Sequence, residues 1–412
     1  MSVLLLGFQM PVRLLILCEY PTLSGGERSM LATMDGVTRA GFDVQVMGPG
    51  EGALAEACRA RGILLVASGE AEDGSLAGRR ERLAREIARL RPDVLHANSL
   101  AMGRLSGPVA AELGVASVAH LRDIIRLSRQ AVCDLNRHRR LLAVSEATRQ
   151  FHVAAGLDAE KTFVLYNGVD LARFCPRPAT GYLHRELGIP AGATLVGSIG
   201  QISLRKGQEV LLEAVLRVNA NGVACSSRLL KKPSRDREGA VVERFGTPPL
   251  PHGRGSDESV HWLIVGERWS DKEESRGFEV RLHAMAEELN GRVHFLGARG
   301  DVAELLNELT LLVHTARQEP LGRVLLEAAA SGVAVVATDV GGTREIFPEE
   351  SGAARLIPPN DAEAVAGAVA ELLADEGRRR AMGAAARRRA EEQFDVARAT
   401  AGLIGHYRAV VE

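Results

Sequence analysis

Arg13-Leu14-Leu15-Ile16-Leu17-Cys18 is an apolar run without polar alternation, and Ser24-Gly25-Gly26-Glu27-Arg28 follows it at the head of a helical pattern. A strand with no polar face must be covered on both sides, which is the habit of central strands in parallel sheets. Similar runs recur at 42–47, 63–67, 93–97, 115–119, 141–144 and 162–165, with helical patterns between them. Such alternation implies βαβ units and a doubly wound α/β domain. A second series, at 194–199, 260–265, 292–296, 311–313, 333–337 and 354–357, implies another domain of the same kind facing the first across a hinge.

Between the two series Phe174, Pro176, Pro178, Gly181, Gly188 and Pro190 break the rhythm as a linker does. The expected layout is an N-terminal extension at 1–10, a first Rossmann-like domain at 11–180, a second at 181–392 and a terminal helix within 393–412 that crosses back to brace the first domain. One region departs from this pattern. Residues 224–259 hold Lys231-Lys232, Arg235-Asp236-Arg237-Glu238 and Pro248-Pro249 with little periodicity, and read as an inserted disordered loop, a tolerated insertion in preference to a regulatory one.

Composition narrows the function classes. A chain of 412 residues exceeds what one core usually supports, and 46% hydrophobic with 25% charged residues is ordinary for a globular protein. A formal net charge of −1 provides no global field to attract nucleic acid. The cysteines at 18, 58, 133, 175 and 225 form no C-x-x-C pair, which fits a reducing, cytoplasmic setting. Neither a basic leader ahead of the first apolar residues nor a run of about 18 apolar residues is visible.

The strongest local signal is Gln318-Glu319-Pro320-Leu321-Gly322-Arg323, with Glu327 eight positions after Glu319. Pro320 suits a first helical turn, and the N–H groups of a helix start receive anions while flanking carboxylates accept hydrogen bonds from sugar hydroxyls. Its bland alternative is an acidic helix start with a solvated glutamate. After the strand ending at Ile199 comes Gly200-Gln201-Ile202-Ser203-Leu204-Arg205-Lys206-Gly207, whose turn and cations suit a diphosphate. Taken alone it reads equally as a surface charge pair, and it is not a Walker loop.

Taken in order, E-P-L-G-x4-E, the Lys206-Gly207 pair, Gly341-Gly342 with Glu345, Tyr166-Asn167-Gly168-Val169-Asp170 with Phe174, Ser24–Arg28, His96, His120 and Ser145-Glu146 resemble retaining family 4 glycosyltransferases of the GT-B fold. The resemblance implies that Glu319 contacts donor sugar hydroxyls, that Glu327 contacts the nucleotide ribose, and that Leu321 and Gly322 belong to the same donor site. Arg205 and Lys206 would flank the diphosphate, and Gly25 and Gly26 would let backbone approach the reacting phosphate and the acceptor. His120 would lie near the transferred sugar, its bland alternative being a hydrogen-bonded strand-end histidine. Gln201 departs from the pattern, because many relatives carry a cation there. On this reading His120, Lys206 and Glu319 are the catalytic group, and Lys206 and Glu319 do separable jobs, charge stabilisation and sugar positioning.

The expected partners are a nucleotide-diphosphate sugar as donor and a sugar or lipid-linked acceptor on the first domain, with no cofactor and no metal, since no Asp-x-Asp signature stands at a suitable strand end. Leu135-Asn136-Arg137-His138-Arg139-Arg140 could touch anionic headgroups in a weak peripheral membrane contact, although a solvated helix face is the plainer reading, and Arg378–Arg380 and Arg387–Arg389 read as ordinary helix surface. A donor-binding protein without catalysis and a GT-B-like nucleotide-sugar epimerase share the layout. Replacing Ser226–Ser256 with a short Gly/Ser bridge should leave soluble yield and donor binding nearly unchanged, because closure entropy changes by only about 0.6 kcal/mol per doubling of loop length. A large fall in melting temperature would make the segment structural.

Overall fold

The structure is a computed structural model that describes residues 11–69, 75–220 and 259–412. The expected extension at 1–10 and, apart from Ser259, the expected insertion lie outside the described residues. Seven strands form the first sheet: β1 (Val12–Leu17), β2 (Phe42–Gly48), β3 (Leu64–Ala67), β4 (Val94–Ala97), β5 (Ala116–Leu121), β6 (Arg140–Ala143) and β7 (Thr162–Val164). Six form the second: β8 (Thr194–Ile199), β9 (Val260–Val265), β10 (Val293–Phe295), β11 (Leu311–His314), β12 (Val335–Thr338) and β13 (Arg355–Ile357). Each described ladder is parallel, with β1 centred between β2 and β4. The chain thus has two Rossmann-like parallel sheets, as expected from the sequence.

Alternation of side chains along a strand explains the unbroken run in β1. Leu14 and Ile16 enter one apolar layer while Leu15 and Leu17 enter the other, so all four are buried. Sheet order then locates the sites. The first sheet runs β3-β2-β1-β4-β5-β6-β7 and the second β10-β9-β8-β11-β12-β13. Order reverses between β1 and β4 and again between β8 and β11, and crevices open beyond the carboxyl ends of strands at such points. The loops leaving β1, β8 and β11 are those singled out by sequence.

The helix Val396–Val411 crosses back as expected: Leu403, Tyr407 and Val410 share one face and join the layer of Leu14, Ile16, Met30 and Phe42. Fully burying such apolar side chains is worth roughly 1.5–3 kcal/mol each. The stretch expected as a linker carries the helix Tyr182–Leu187, and Phe174, Leu183 and Ile189 are packed into the second sheet's core.

The basic stretch 135–140 is not a continuous helix face. The helix Arg129–Leu135 ends there, His138 is buried, Arg139 donates to the Val410 carbonyl at 2.5 Å, and Arg140 meets His406 Nδ1 at 3.0 Å. Arg387 and Arg389 likewise depart from the expected surface role. Arg387 donates to the carbonyls of Phe174 and Ala330 at 2.8 and 2.6 Å, and Arg389 to that of Glu345 at 3.2 Å. Arg379 also points inward, donating to the Leu372 carbonyl, whereas Arg378 and Arg380 form exposed ion pairs.

His138 illustrates how the interior constrains protonation. Its Nε2 lies 2.9 Å from the Gly103 carbonyl, which can only accept, so Nε2 carries the proton and Nδ1 accepts from Ser117 Oγ, also at 2.9 Å. Burial lowers its pKa to about 4, opposed by the bond to Gly103. The unfolded chain binds a proton near pH 6.5 that the folded one refuses, so this stability is complete above 6.5 and lost as pH falls towards 4. Replacing His138 with Gln should make the loss of urea-unfolding free energy between those pH values shallower by about 1.4 kcal/mol per pH unit. Parallel pH profiles for the two proteins would contradict this.

Candidate active site between the two sheets

The loop after β8 turns through a short 3-10 segment, Leu204–Lys206, and Gly207 ends it at φ +62°. A Cβ at Gly207 would lie 2.3 Å from the Thr315 carbonyl, so glycine alone lets this loop close on the end of β11. Two contacts tie the loops together: Arg317 N donates to the Arg205 carbonyl at 2.8 Å, and Thr315 Oγ1 to that of Gly207 at 2.8 Å. Lys206 is thereby brought to Glu319, and their side chains form an ion pair at 13% and 6% exposure.

His314, the last residue of β11, meets the same carboxylate oxygen at 2.8 Å through Nε2. Burial would raise the pKa of Glu319, but the Lys206 charge and the His314 hydrogen bond outweigh it and hold the carboxyl below its ordinary range. His314 is shifted down by burial and then by Lys206, so it donates as a neutral imidazole. Sequence reasoning missed His314, although a polar residue ending an apolar strand five positions before Glu319 was a usable signal.

Glu319 is also held through its backbone. Its carbonyl accepts from Gly342 N at 2.9 Å, and a Cβ on Gly341, at φ +53°, would lie 2.0 Å from the same oxygen. The adjacent helix begins later than expected, at Arg323 with Gly322 as cap, so Pro320 and Leu321 belong to the preceding loop and not to the first turn. Leu321 is buried beneath that loop. Glu327 pairs with Arg323 at 2.6 Å. Arg28 of the first sheet's side approaches this pair: its guanidinium pKa is lowered by burial and by Arg323, and raised in part by Glu327. Neither Arg205 nor Gln201 uses its side chain in an ion pair or hydrogen bond among the described residues.

Across the cleft, Gly25 and Gly26 open the helix Gly25–Arg39. A Cβ at Gly25 would meet nothing within 4 Å, whereas at Gly26 it would lie 3.1 Å from Arg122 Cδ. Arg122, also missed from sequence, donates to the Asn98 carbonyl and side chain at 3.0 and 2.8 Å and to Asn167 Oδ1 at 2.9 Å. Burial, the largest effect, lowers its pKa to about 10. His120 is buried beside Arg122 and bonded to His96, so the structure places it with the glycine loop, while Lys206 and Glu319 meet on the other side.

The two sides are joined by Glu345. Its carboxylate accepts from the free amides of Glu146 and Ala147 at 2.7 and 2.9 Å, at the start of the helix Glu146–Ala154, and from the Tyr166 hydroxyl at 2.9 Å. A Cβ on Gly342 would lie 3.0 Å from Ser145 Cβ, so this clamp and the glycine pair press together.

Comparison with known proteins gives a separate family match for each half of the chain. Residues 23–173 match the model described as Glycosyltransferase Family 4, and residues 250–389 match Glycosyl transferases group 1. The chain belongs to the family 4 glycosyltransferases. It is 30% identical over 279 residues to a D-inositol 3-phosphate glycosyltransferase of Kineococcus radiotolerans, a match covering 66% of this chain and 57% of that protein. It is 29% identical to the lipopolysaccharide core biosynthesis mannosyltransferase LpcC of Rhizobium leguminosarum bv. viciae, over 60% of each chain. These two matches therefore span about three-fifths of their relatives' length. Among solved structures, Anabaena HepE in complex with UDP-glucose superposes with a TM-score of 0.78 at 23% identity, covering 96% of this chain and 99% of that one, which establishes the shared fold.

Lys206 and Glu319, expected to do separate jobs within one donor site, share one buried ion pair in this family 4 chain. Lys206→Met leaves a buried carboxylate without its cation and should cost about 3–5 kcal/mol of unfolding free energy. Adding Glu319→Gln should recover part of that loss, a coupling of roughly 0.5–3 kcal/mol. Additive effects in urea titrations of the two singles and the double would show that the pair contributes nothing.

Proposed function

We propose that this protein transfers a sugar from a nucleotide-diphosphate sugar to an acceptor seated on the first sheet's side of the cleft, with retention of anomeric configuration and without a metal ion. The observation that carries the reading is the meeting of Lys206 and Glu319, from the loops after β8 and β11, at the switch point of the second sheet. The names of the relatives support sugar transfer, and the UDP-glucose complex of HepE supports a nucleotide sugar as donor.

On this reading the donor diphosphate takes over Lys206 as its counter-charge, assisted by Arg205, and Glu319 turns its ionised oxygens to the sugar hydroxyls. Glu327 receives the ribose, while Leu321 and Gly322 form the wall beside it. The bond from the anomeric carbon to the phosphate oxygen breaks and the bond to the acceptor oxygen forms on the same face. The acceptor's proton passes to the departing phosphate, whose growing charge Lys206 stabilises; one such preorganised group is worth roughly 10²–10³ in turnover. Gln201, without a charge, leaves this work to Arg205 and Lys206.

The acceptor, a sugar or lipid-linked sugar, approaches past Gly25, Gly26 and Arg122. Among the described residues no helix is long and apolar enough to cross a membrane. The described cysteines are free, which accords with cytoplasmic work. Weak peripheral membrane contact belongs to the same proposal.

The test is release of nucleoside diphosphate from a panel of nucleotide sugars with candidate acceptors, in excess EDTA, with the product's anomeric configuration read by NMR. Turnover in chelator with a retained anomer is expected. Activity that vanishes with EDTA and returns with magnesium or manganese would refute metal independence, and an inverted product would refute retention. The uncharged Gln201 favours one rival, a binding protein without catalysis. Tight calorimetric binding with no turnover across the panel would select it.

A further inference from the structure

Behind the glycine loop, three buried side chains form a line that the reaction as described does not use. Tyr407 of the crossing helix places its hydroxyl 2.6 Å from His96 Nδ1, and His96 Nε2 lies 2.7 Å from His120 Nδ1. Tyr407 and His96 are 0% and 1% exposed, so water does not complete their hydrogen bonding, whereas His120 lines a small pocket at the end of the line. His96 and His120 stand on the neighbouring strands β4 and β5, and their rings are 4.9 Å apart. The Tyr407 ring also packs on Phe42, with centroids 5.5 Å apart.

Proton accounting decides the direction of the line. Burial, followed by the charge of Arg122, lowers both histidines, His96 to about 3, so each is a neutral imidazole with one N–H. Burial raises the Tyr407 phenol, which keeps its proton. Among the described residues, His96 Nδ1 is the one hydrogen-bond partner of the hydroxyl. If His96 donated instead, the phenolic proton would be buried without an acceptor, a cost of about 1–3 kcal/mol. Tyr407 therefore donates to His96 Nδ1, and His96 carries its proton on Nε2 and donates it to His120 Nδ1. His120 is left with its proton on Nε2, in the pocket lined by Ser29, Thr33, Arg122 and Asn167.

We infer that Tyr407 is a positioning residue that acts through His96 to lock His120 as a neutral N–H donor, so that His120 presents a hydrogen to a substrate oxygen and does not accept a proton. The catalytic consequence rests on the proposed sugar transfer, while the tautomer does not. The ligand group is any oxygen acceptor, whether hydroxyl, ring or phosphate oxygen. Because the donor is neutral, it helps bind that oxygen without competing with Lys206 for the diphosphate.

Two measurements test this separately. In long-range ¹H–¹⁵N spectra of histidine-labelled full-length protein near neutral pH, His96 and His120 should both show protonated Nε2 and bare Nδ1. Protonated Nδ1 on His120 would overturn the inference outright. Tyr407→Phe keeps the ring against Phe42 but removes the hydroxyl, and should give mixed tautomers at both histidines with a kcat roughly 10-fold lower, about 1.4 kcal/mol, and donor KM within about twofold. Unchanged tautomers in that variant would refute the role of Tyr407. His120→Gln, which offers an N–H of similar reach, should retain at least about tenfold more turnover than His120→Leu. Equal turnover in those two would remove the donor role even if the tautomer is as inferred. If no donor is turned over by the wild type, the proposed function fails while the spectra still decide the tautomer.

Discussion

An ionised carboxylate inside a protein is tolerated only if something replaces the water it has lost, and Glu319 sets this requirement for the whole second domain. Lys206 supplies the charge, His314 a neutral donor, and Gly342 a backbone donor to the same residue's carbonyl. Lys206 and Gly342 come from different loops, which approach so closely that Gly207 and Gly341 have no room for a side chain, while His314 ends β11 itself. The same arrangement suits chemistry. A cation already desolvated and already pointed at the place where negative charge will arrive has little reorganisation left to undergo.

Topology explains why these loops meet at all. In each sheet the strand order reverses beside the first strand of the series, so the loops on either side of the reversal diverge and leave a crevice. Two such crevices face one another here, and the contacts between them are specific. Glu345 reaches across to cap the helix starting at Glu146, and Arg28 approaches Arg323 and Glu327 in the opposite direction. The crossing helix Val396–Val411 completes the union by burying Leu403 and Tyr407 in the first domain's core. The same helix that braces the fold also contributes the hydroxyl that orders the His96–His120 pair.

Legibility followed the range of the forces. The strands could be read because burial on both faces leaves a continuous apolar run, and their ends shifted by only a residue or two in the structure: the expected 13–18 is Val12–Leu17. Pro320 was misplaced because a proline that suits a first turn equally suits the loop before it, and the cap at Gly322 decides between them. Charged residues were the least legible. Arg139, Arg387 and Arg389 read as solvated surface, yet each spends its guanidinium on backbone carbonyls from other elements.

The sequence by itself determined the two-sheet α/β plan, the order of its elements and the loops that carry the site, because periodicity and the steric need for glycine are encoded within a few residues. Only the tertiary structure decided which side chains meet. Lys206 and Glu319 are separated by 113 residues, Glu146 and Glu345 by 199, and His96 and Tyr407 by 311. Pairings at that range depend on chain closure and on which neighbours remove the water, so neither the ionisation of Glu319 nor the tautomer of His120 has a local signature.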